Sequence, residues 1–390
     1  MNILSSTGEI NSFISAASKK TFVTIDTEFI REKTYYADLC LIQIAFKGEN
    51  GEQDSALIDP LNKSLDLTPF FKLMKDSTVL KVFHAARQDL EIFYSISGYI
   101  PNPIFDTQIA AMVCGFGDQI SYEKLVKECV GISLDKSSRF SNWAYRPLTS
   151  EQYSYALGDV TFLRDVYLFL KARLDENGRE LWVKEEMERL CDTKSYFPDP
   201  SEAWRRIKMR GGNNKYLAIL RDLAEFREKE AQNKNISRRR ILSDDAILEI
   251  ASKKPNNPSE ISKLRFLSKE SQKSWIGKNI QTIVSNADPT KAPIVGKDIY
   301  QKEERSNPRL VELLKVLLSF SSEQSGVAPK IIASVDDLKE IATKENPVSK
   351  AVNGWRKEIF GSNALKLKNG KIALCIQDGQ LMITKSTLEK

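Results

Sequence analysis

Asp26 and Glu28 stand two residues apart in the apolar run FVTIDTEF, Asp89 lies in VFHAARQDLEIF, and Tyr155 and Asp159 stand four apart in SYALGDVTFL. Side chains alternate along a strand, so Asp26 and Glu28 face one side. Residues four apart on a helix stack, so Tyr155 and Asp159 share a face. A strand and two helices can thus converge a ring of hard oxygen ligands suited to Mg2+ or Mn2+. Phosphodiester hydrolysis needs an activated water and a stabilised leaving oxyanion, and two cations about 4 Å apart supply both. In that chemistry Asp26 bridges the cations, Glu28 and Asp159 complete one site, and Asp89 supports the other. Tyr155, an unperturbed phenol with a pKa near ~10, suits orienting the attacking water better than deprotonating it.

The elements that must carry these groups can be read from the surrounding pattern. Phe22–Asp26, Leu39–Phe46, Ser55–Asp59 and Val79–His84 read as strands, and Thr68–Lys75, Gln88–Ile96, Ile104–Val113 and Ser121–Val130 as helices. Strands early and helices later predict a mixed sheet packed by helices. Thr149 and Gln152 form a capping box that starts a long helix predicted to run to about Asp175 and end near Gly178. SYFPDPSEAWRRIKMRGGNN (195–214) and ADPTKAPIVGKD (287–298) read as breaks between domains, with helical stripes between and after them. The final segment has the character of short strands.

At 390 residues the chain has room for two or three domains. Its longest apolar stretches are too short to cross a bilayer, and MNILSSTGEINSF lacks the features of a signal peptide. Five cysteines without CxxC spacing read as reduced thiols, and together these features predict a cytoplasmic protein. The net charge of +6 is uneven: residues 1–200 carry 22 Lys and Arg against 29 Asp and Glu, residues 201–390 carry 36 against 23. An acidic half that collects cations is joined to a basic half that can neutralise phosphates.

Taken singly, each of the five residues has an ordinary structural explanation; their joint order and apolar framing do not. Asp26-x-Glu28, Asp89 and Tyr155-x-x-x-Asp159 match the three exonuclease motifs of the DEDD superfamily. More closely, IDTEFIREKTYYADLCLIQIAF, VFHAARQDLEIF, IFDTQIAAMVCGFG and SNWAYRPLTSEQYSYALGDVTFL resemble the bacterial ribonuclease D family. The superfamily divides by a tyrosine four residues, or a histidine five residues, before the last Asp. Those positions hold Tyr155 and Ser154, and the chain's one histidine is His84, so the tyrosine subtype is indicated. FREKEAQNKNISRRRILSDDAILEIASKKPNNPSEISKLRFL resembles the HRDC module, and GWRKEIFG the family's carboxyl-terminal segment.

The resemblance implies an α/β ribonuclease-H-like exonuclease domain with a mixed sheet over 1–200. Two small all-α HRDC-type domains follow, one over 211–290 and a second, diverged one over 300–385. It implies a metal-dependent 3′→5′ exoribonuclease releasing nucleoside 5′-monophosphates. The implied cofactors are two divalent cations, and the partner is RNA with a single-stranded 3′ end, above all a tRNA precursor, bound by a monomer without membrane association. His84 is expected either to approach the terminal nucleotide or to bond a backbone group, and Phe29 to wedge against the terminal base or to join the core. Trp143 and Arg146 could steer the 3′ end, with pairing to an acid the stronger reading for Arg146. Arg238, Arg239 and Arg240 are candidates for phosphate contacts, and removing everything after residue 210 is expected to weaken RNA binding but spare cleavage. Two other readings stay open: a DNA 3′→5′ exonuclease of the Werner or proofreading type, and a non-catalytic RNA-binding protein on an inactive nuclease fold.

Overall fold

The computed structural model describes residues 3–48, 53–135, 138, 141–197, 199–209, 211–294 and 307–386. Residues 295–306, with the end of the expected second break and the first residues of the expected third domain, lie outside the described residues. Met1–Glu28, Cys40–Cys191 and Glu303–Lys390 form one compact unit; Phe29–Leu39 with Asp192–Lys302 form another.

In the first unit the described elements begin with β1 (Ile3–Leu4), α1 (Thr7–Ala17), β2 (Phe22–Ile30), β3 (Asp38–Lys47), β4 (Gln53–Ile58), α2 (Thr68–Lys75), β5 (Leu80–Phe83) and α3 (Arg87–Ser97). β6 (Ile104–Asp106), α4 (Thr107–Val113), α5 (Tyr122–Val130), α6 (Ser150–Thr161), α7 (Leu163–Asn177) and α8 (Glu180–Leu190) follow. The six strands form one mixed sheet in the order β1-β4-β3-β2-β5-β6. β2 runs parallel to β5 and β5 to β6, whereas β3 is antiparallel to β4. Leu39 to Phe46 are all buried, as a near-continuous apolar run requires of an interior strand covered on both faces. The expected mixed sheet packed by helices is therefore present.

Two expected helices are revised. Ile104–Val113 divides at Asp106 into β6 and α4, because the Asp106 carboxylate accepts from Gln108 N (2.8 Å) and Ile109 N (3.3 Å) and caps a new helix there. The long helix after Thr149 keeps its capping box and its end at Gly178 but breaks at Phe162. Just before the break, side chains take two helix carbonyls: Tyr122 Oη bonds Gly158 O (2.9 Å) and Thr24 Oγ1 bonds Val160 O (2.8 Å).

The second unit holds α9 (Asn214–Asn233), α10 (Arg238–Ile241), α11 (Asp244–Lys253), α12 (Pro258–Ile261), α13 (Lys269–Lys273) and α14 (Trp275–Asn286). Within the stretch expected as an interdomain break, Pro200–Arg206 forms a 3-10 turn whose Ala203 and Trp204 sink into the core of this unit. Into the same unit folds the 29–39 loop that follows Glu28. Tyr35 Oη donates to Glu228 Oε1 (2.6 Å), Arg238 grips both oxygens of Glu228 (2.6 and 2.7 Å), and its guanidinium lies 4.6 Å from the Tyr35 ring centroid. Asn235 Oδ1 accepts from the backbone N–H groups of Tyr35 (3.1 Å) and Tyr36 (2.9 Å).

The carboxyl-terminal part returns to the first unit with α15 (Pro308–Ser325), α16 (Pro329–Ile332), α17 (Val335–Thr343), further short helical turns, and a hairpin of β7 (Ile372–Gln377) and β8 (Gln380–Lys385). Fully buried Arg356 pairs with Glu186 of α8 (2.7 Å), and Trp355 stacks on Trp182 at 4.6 Å. Gly115, at φ +88, allows a close approach: a Cβ there would stand 2.6 Å from Gly326 O. A local pattern recurs between the units. α10 and α16 each end at an extended residue (Leu242 at φ −149, Ala333 at φ −151), and a serine (Ser243, Ser334) then caps α11 or α17, whose first turn holds two aspartates.

Glu228 is wholly buried and serves Tyr35 and Arg238 together. Glu228→Ala should therefore remove the shared acceptor of Tyr35 and the part-exposed Arg238 guanidinium and lower the unfolding free energy by about 2 kcal/mol, as expected on losing hydrogen bonds to a charged group. Urea titration reads this directly, and an unshifted midpoint would show that the network carries no stability.

Candidate active site

β2 presents Asp26 and Glu28 on one face and, between them, Thr27 on the other. α6 brings Asp159 to meet them, and one carboxylate oxygen from each of Asp26, Glu28 and Asp159 lies within 4.8 Å of the others. The helix is held there by its own backbone: the carbonyls flanking Asp159, those of Gly158 and Val160, are bonded by Tyr122 of α5 and Thr24 of β2. Two elements distant in sequence are thereby locked in register at the point where their acids meet.

Asp89 belongs to a deeper layer. It is buried in the first turn of α3, within electrostatic reach of Asp26, and Thr27 Oγ1 donates to its Oδ1. Tyr155, one turn before Asp159, faces the same cavity, and its hydroxyl acts to lower the pKa of the Asp159 carboxylate. The buried Trp143 indole packs on the Tyr155 ring, centroids 5.9 Å apart. A cavity of about 310 Å3 opens on Tyr155 and Asp159, with Glu123, Asp135 and Ser138 on its wall.

The electrostatics follow from crowding like charges out of water. Burial, then the charges of Asp159, Asp89 and Glu28, raises Asp26 well above the ordinary carboxylate range. Burial with Asp159 and Asp89 pushes Glu28 up to about 9. Burial and Glu123 raise Asp159 to about 8, and burial raises Asp89 to about 7. Burial and Asp159 also raise the Tyr155 phenol, which keeps its proton at neutral pH. No lysine or arginine is among the causes acting on Asp26 or Glu28. Converging oxygen donors without a side-chain cation among the described residues fit a divalent metal ion, which would supply charge there.

The other candidates are placed as follows. Arg146 engages all five guanidinium N–H groups: Nε and Nη2 on Asp59 (2.6 and 2.9 Å), Nη2 also on Cys40 O (2.6 Å), and Nη1 on Trp143 O (2.7 Å) and Tyr145 O (2.9 Å). It is the acid-paired clamp that was the stronger expectation, with no donor left for an RNA end. His84 has Nδ1 at 3.0 Å from Thr107 Oγ1 and Nε2 at 3.2 Å from Ile120 O, the backbone-bonding alternative. Phe29 is partly exposed on the strand after Glu28. Arg238 gives its Nε and Nη2 to Glu228 and Tyr35, whereas Arg239 and Arg240 are exposed.

Sequence reasoning passed over three residues. Asp106 accepts from the backbone N–H groups of Ala85 (3.1 Å) and Ala86 (2.8 Å) as well as from α4, fixing the turn that launches α3 and Asp89. Its signal was a capping aspartate before TQI, masked by reading 104–113 as one helix. Thr27 and Glu123 act on Asp89 and Asp159 across long sequence separations, and no local pattern marks them.

The raised carboxylates make a specific pH dependence. Below the unfolded carboxylate pKa of ~4 both states are protonated, whereas between there and the folded values the native state binds more protons, so metal-free stability falls as pH rises. Glu28→Gln fixes the protonated form, so this variant should gain on the wild type from pH 6 up through about 9, where Glu28 titrates. Melts in chelator across this window test it, and a wild type that gains on the variant with rising pH refutes it.

Comparison with known proteins follows the same division of the chain. Residues 1–175 match the family model described as 3'-5' exonuclease, and residues 216–277 that of the HRDC domain. The chain is 44% identical over 384 residues to the ribonuclease D of Jannaschia sp., covering 98% of this chain and 99% of that one. It is 45% identical to the ribonuclease D of Nitrobacter hamburgensis, at 98% and 99% coverage. The crystal structure of Escherichia coli RNase D, described as an exoribonuclease involved in structured RNA processing, superposes with a TM-score of 0.79. Sequence identity there is 26%, over 95% of this chain and 99% of that one.

Proposed function

Because the chain belongs to the ribonuclease D family of 3′→5′ exoribonucleases, we propose that its hydrolytic site is built from Asp26, Glu28, Asp89, Tyr155 and Asp159. The observation that carries this reading is the approach of the Asp26, Glu28 and Asp159 oxygens to within 4.8 Å of one another at the meeting of β2 and α6. Asp26, Glu28 and Asp159 would hold the cofactor, with Asp89 in support. When bound, two Mg2+ or Mn2+ ions supply an activated water and charge stabilisation for the leaving 3′ oxygen.

The chain's own groups do the rest. Thr27 orients Asp89, and Asp106 fixes the turn from which Asp89 projects. Tyr155 stays protonated, so its hydroxyl orients the attacking water as a hydrogen-bond partner and takes no proton from it. Trp143 supports the Tyr155 ring from behind. Phe29, next to Glu28, supplies an aromatic face for the terminal base. His84 and Arg146 act by shaping the backbone around the site.

We read 1–200 as the exonuclease domain, 211–290 as an HRDC domain and 300–385 as a diverged HRDC-like domain. The recurrence of a four-residue helix, an extended residue and a serine-capped helix at 238–253 and 329–343 supports the last assignment. The substrate on this reading is a tRNA precursor, or another small structured RNA, with a short 3′ trailer, processed by a cytoplasmic monomer. A recessed, half-buried carboxylate site admits a single-stranded end, while arginines in the HRDC region such as Arg239 and Arg240 hold the folded body.

A 5′-labelled tRNA precursor with a 3′ trailer should shorten stepwise from its 3′ end in Mn2+ or Mg2+, and much faster than a DNA strand of the same sequence. Asp26→Ala should drop the rate below about 1% of wild type, and Tyr155→Phe should cost about 10²-fold through lost water orientation. Full activity in Asp26→Ala would remove the assigned site.

A further inference from the structure

The second unit contains a cavity of about 1070 Å3 that the proposed hydrolysis does not use. The loop after Glu28 gives one wall through Arg31, Thr34 and Tyr35; Arg206, Arg227, Arg238 and Arg239 of the helical part give others. Two of its polar groups are left over. Arg227 is 5% exposed, and while its Nη1 serves Asp244 (2.5 Å) and Leu242 O (3.3 Å), its buried Nε–H has no partner among the described residues. Thr34 Oγ1 is likewise buried without a partner among the described residues. A buried donor left unsatisfied is costly, so both groups call for an acceptor arriving from outside.

Charge selects the acceptor. Five arginines face three carboxylates, Glu32, Asp244 and Asp245, and buried Glu228 takes up one further positive charge through Arg238. The surplus of about one positive charge suits a singly charged phosphodiester and not the multiply charged tail of a free nucleotide. The cavity is also far larger than one small ion, as a segment of polynucleotide backbone needs.

We propose that this cavity binds an internal phosphodiester of the RNA substrate, with Arg227 Nε and the Thr34 hydroxyl as donors and Arg31, Arg206 and Arg239 as the surrounding charge. The proposal rests on the reading of the HRDC region as the part that grips the RNA body. It gives a structural use to the 29–39 loop: the chain that leaves the catalytic strand completes a backbone-binding site in the other unit.

The test is a binding titration of a tRNA precursor by the full-length protein in chelator, which prevents cleavage, across a range of salt. The double variant R31Q/R206Q, both exposed arginines, should bind about tenfold more weakly, with the slope of log affinity against log salt shallower by about 1–2. T34V, nearly isosteric and neutral, should weaken binding severalfold with the slope unchanged, which a diffuse basic surface would not produce. R227Q should behave like the double variant; because it alters a buried group, its fold is checked by circular dichroism, and the exposed pair carries the test if it unfolds. Wild-type affinity in R31Q/R206Q and T34V overturns the proposal. If R240Q, outside the cavity, then weakens binding, the HRDC region still grips RNA by its surface; if it too is unchanged, that reading falls with it. Inorganic phosphate is the third arm: phosphate that stabilises the wild type and not R31Q/R206Q, with equal RNA affinity in both, makes this a free-anion site and also overturns the proposal.

Discussion

Everything in the first unit is arranged around a repulsion. Asp26, Glu28 and Asp159 bring carboxylate oxygens within 4.8 Å of one another, with Asp89 beneath, and among the described residues no side-chain cation lowers Asp26 or Glu28. Left alone, such a cluster holds protons instead of charge. It persists because the backbone that carries it is over-determined. Thr24 and Tyr122 grip the carbonyls on either side of Asp159, Thr27 grips Asp89, and Asp106 grips the turn ahead of α3. These are neutral or capping hydrogen bonds. Stabilising the acids with lysine or arginine would have satisfied the fold and abolished the affinity for a cation, so the structure stabilises the backbone and leaves the carboxylates in need.

The same logic separates the two arginines near the start of the chain's functional strings. Arg146 is fully coordinated by Asp59 and three carbonyls, and Arg238 commits its Nε and Nη2 to Glu228 and Tyr35. A guanidinium with five fixed donors is well suited to tying irregular backbone together. The sequence favoured an acid partner for Arg146 and offered Arg238 as a phosphate contact; the hydrogen bonds give both an architectural role. What remains for phosphate are the solvent-exposed arginines, Arg31, Arg206 and Arg239 around the cavity and Arg240 at the exposed end of α10.

How much the sequence disclosed depended on the range over which each signal acts. The DxE pair, the YxxxD pair and the Thr149 capping box are local patterns, and strand alternation or helix stacking converts each into geometry directly. The boundary at Asp106 failed because an apolar stretch reads alike as a short buried strand or as a helix, and only the four N–H groups aimed at the carboxylate decide it. The break at Phe162 failed for a non-local reason: the hydroxyls taking the α6 carbonyls come from residues more than thirty positions away. Thr27 and Glu123 were invisible for the same reason, since their effects exist only once the strands and helices have assembled.

The 29–39 loop shows the largest gap between sequence order and structural membership. It lies inside the string that most resembles the exonuclease family, yet Tyr35, Tyr36 and Lys33 take their partners from 228–238, about two hundred residues on. A truncation after residue 210 therefore does more than remove an RNA-binding appendage. It strips the loop that continues from Glu28 of Glu228, Gln232, Asn235 and Arg238, and exposes the apolar surface of Tyr35, which is 3% exposed in the full chain. The expectation that such a cut spares cleavage treats the halves as independent along the sequence. Because β2 carries Glu28 directly into a loop whose partners lie beyond residue 210, and the cut also takes 303–390 from the first unit, the loss should reach the metal-binding strand as well, and binding and hydrolysis should decline together.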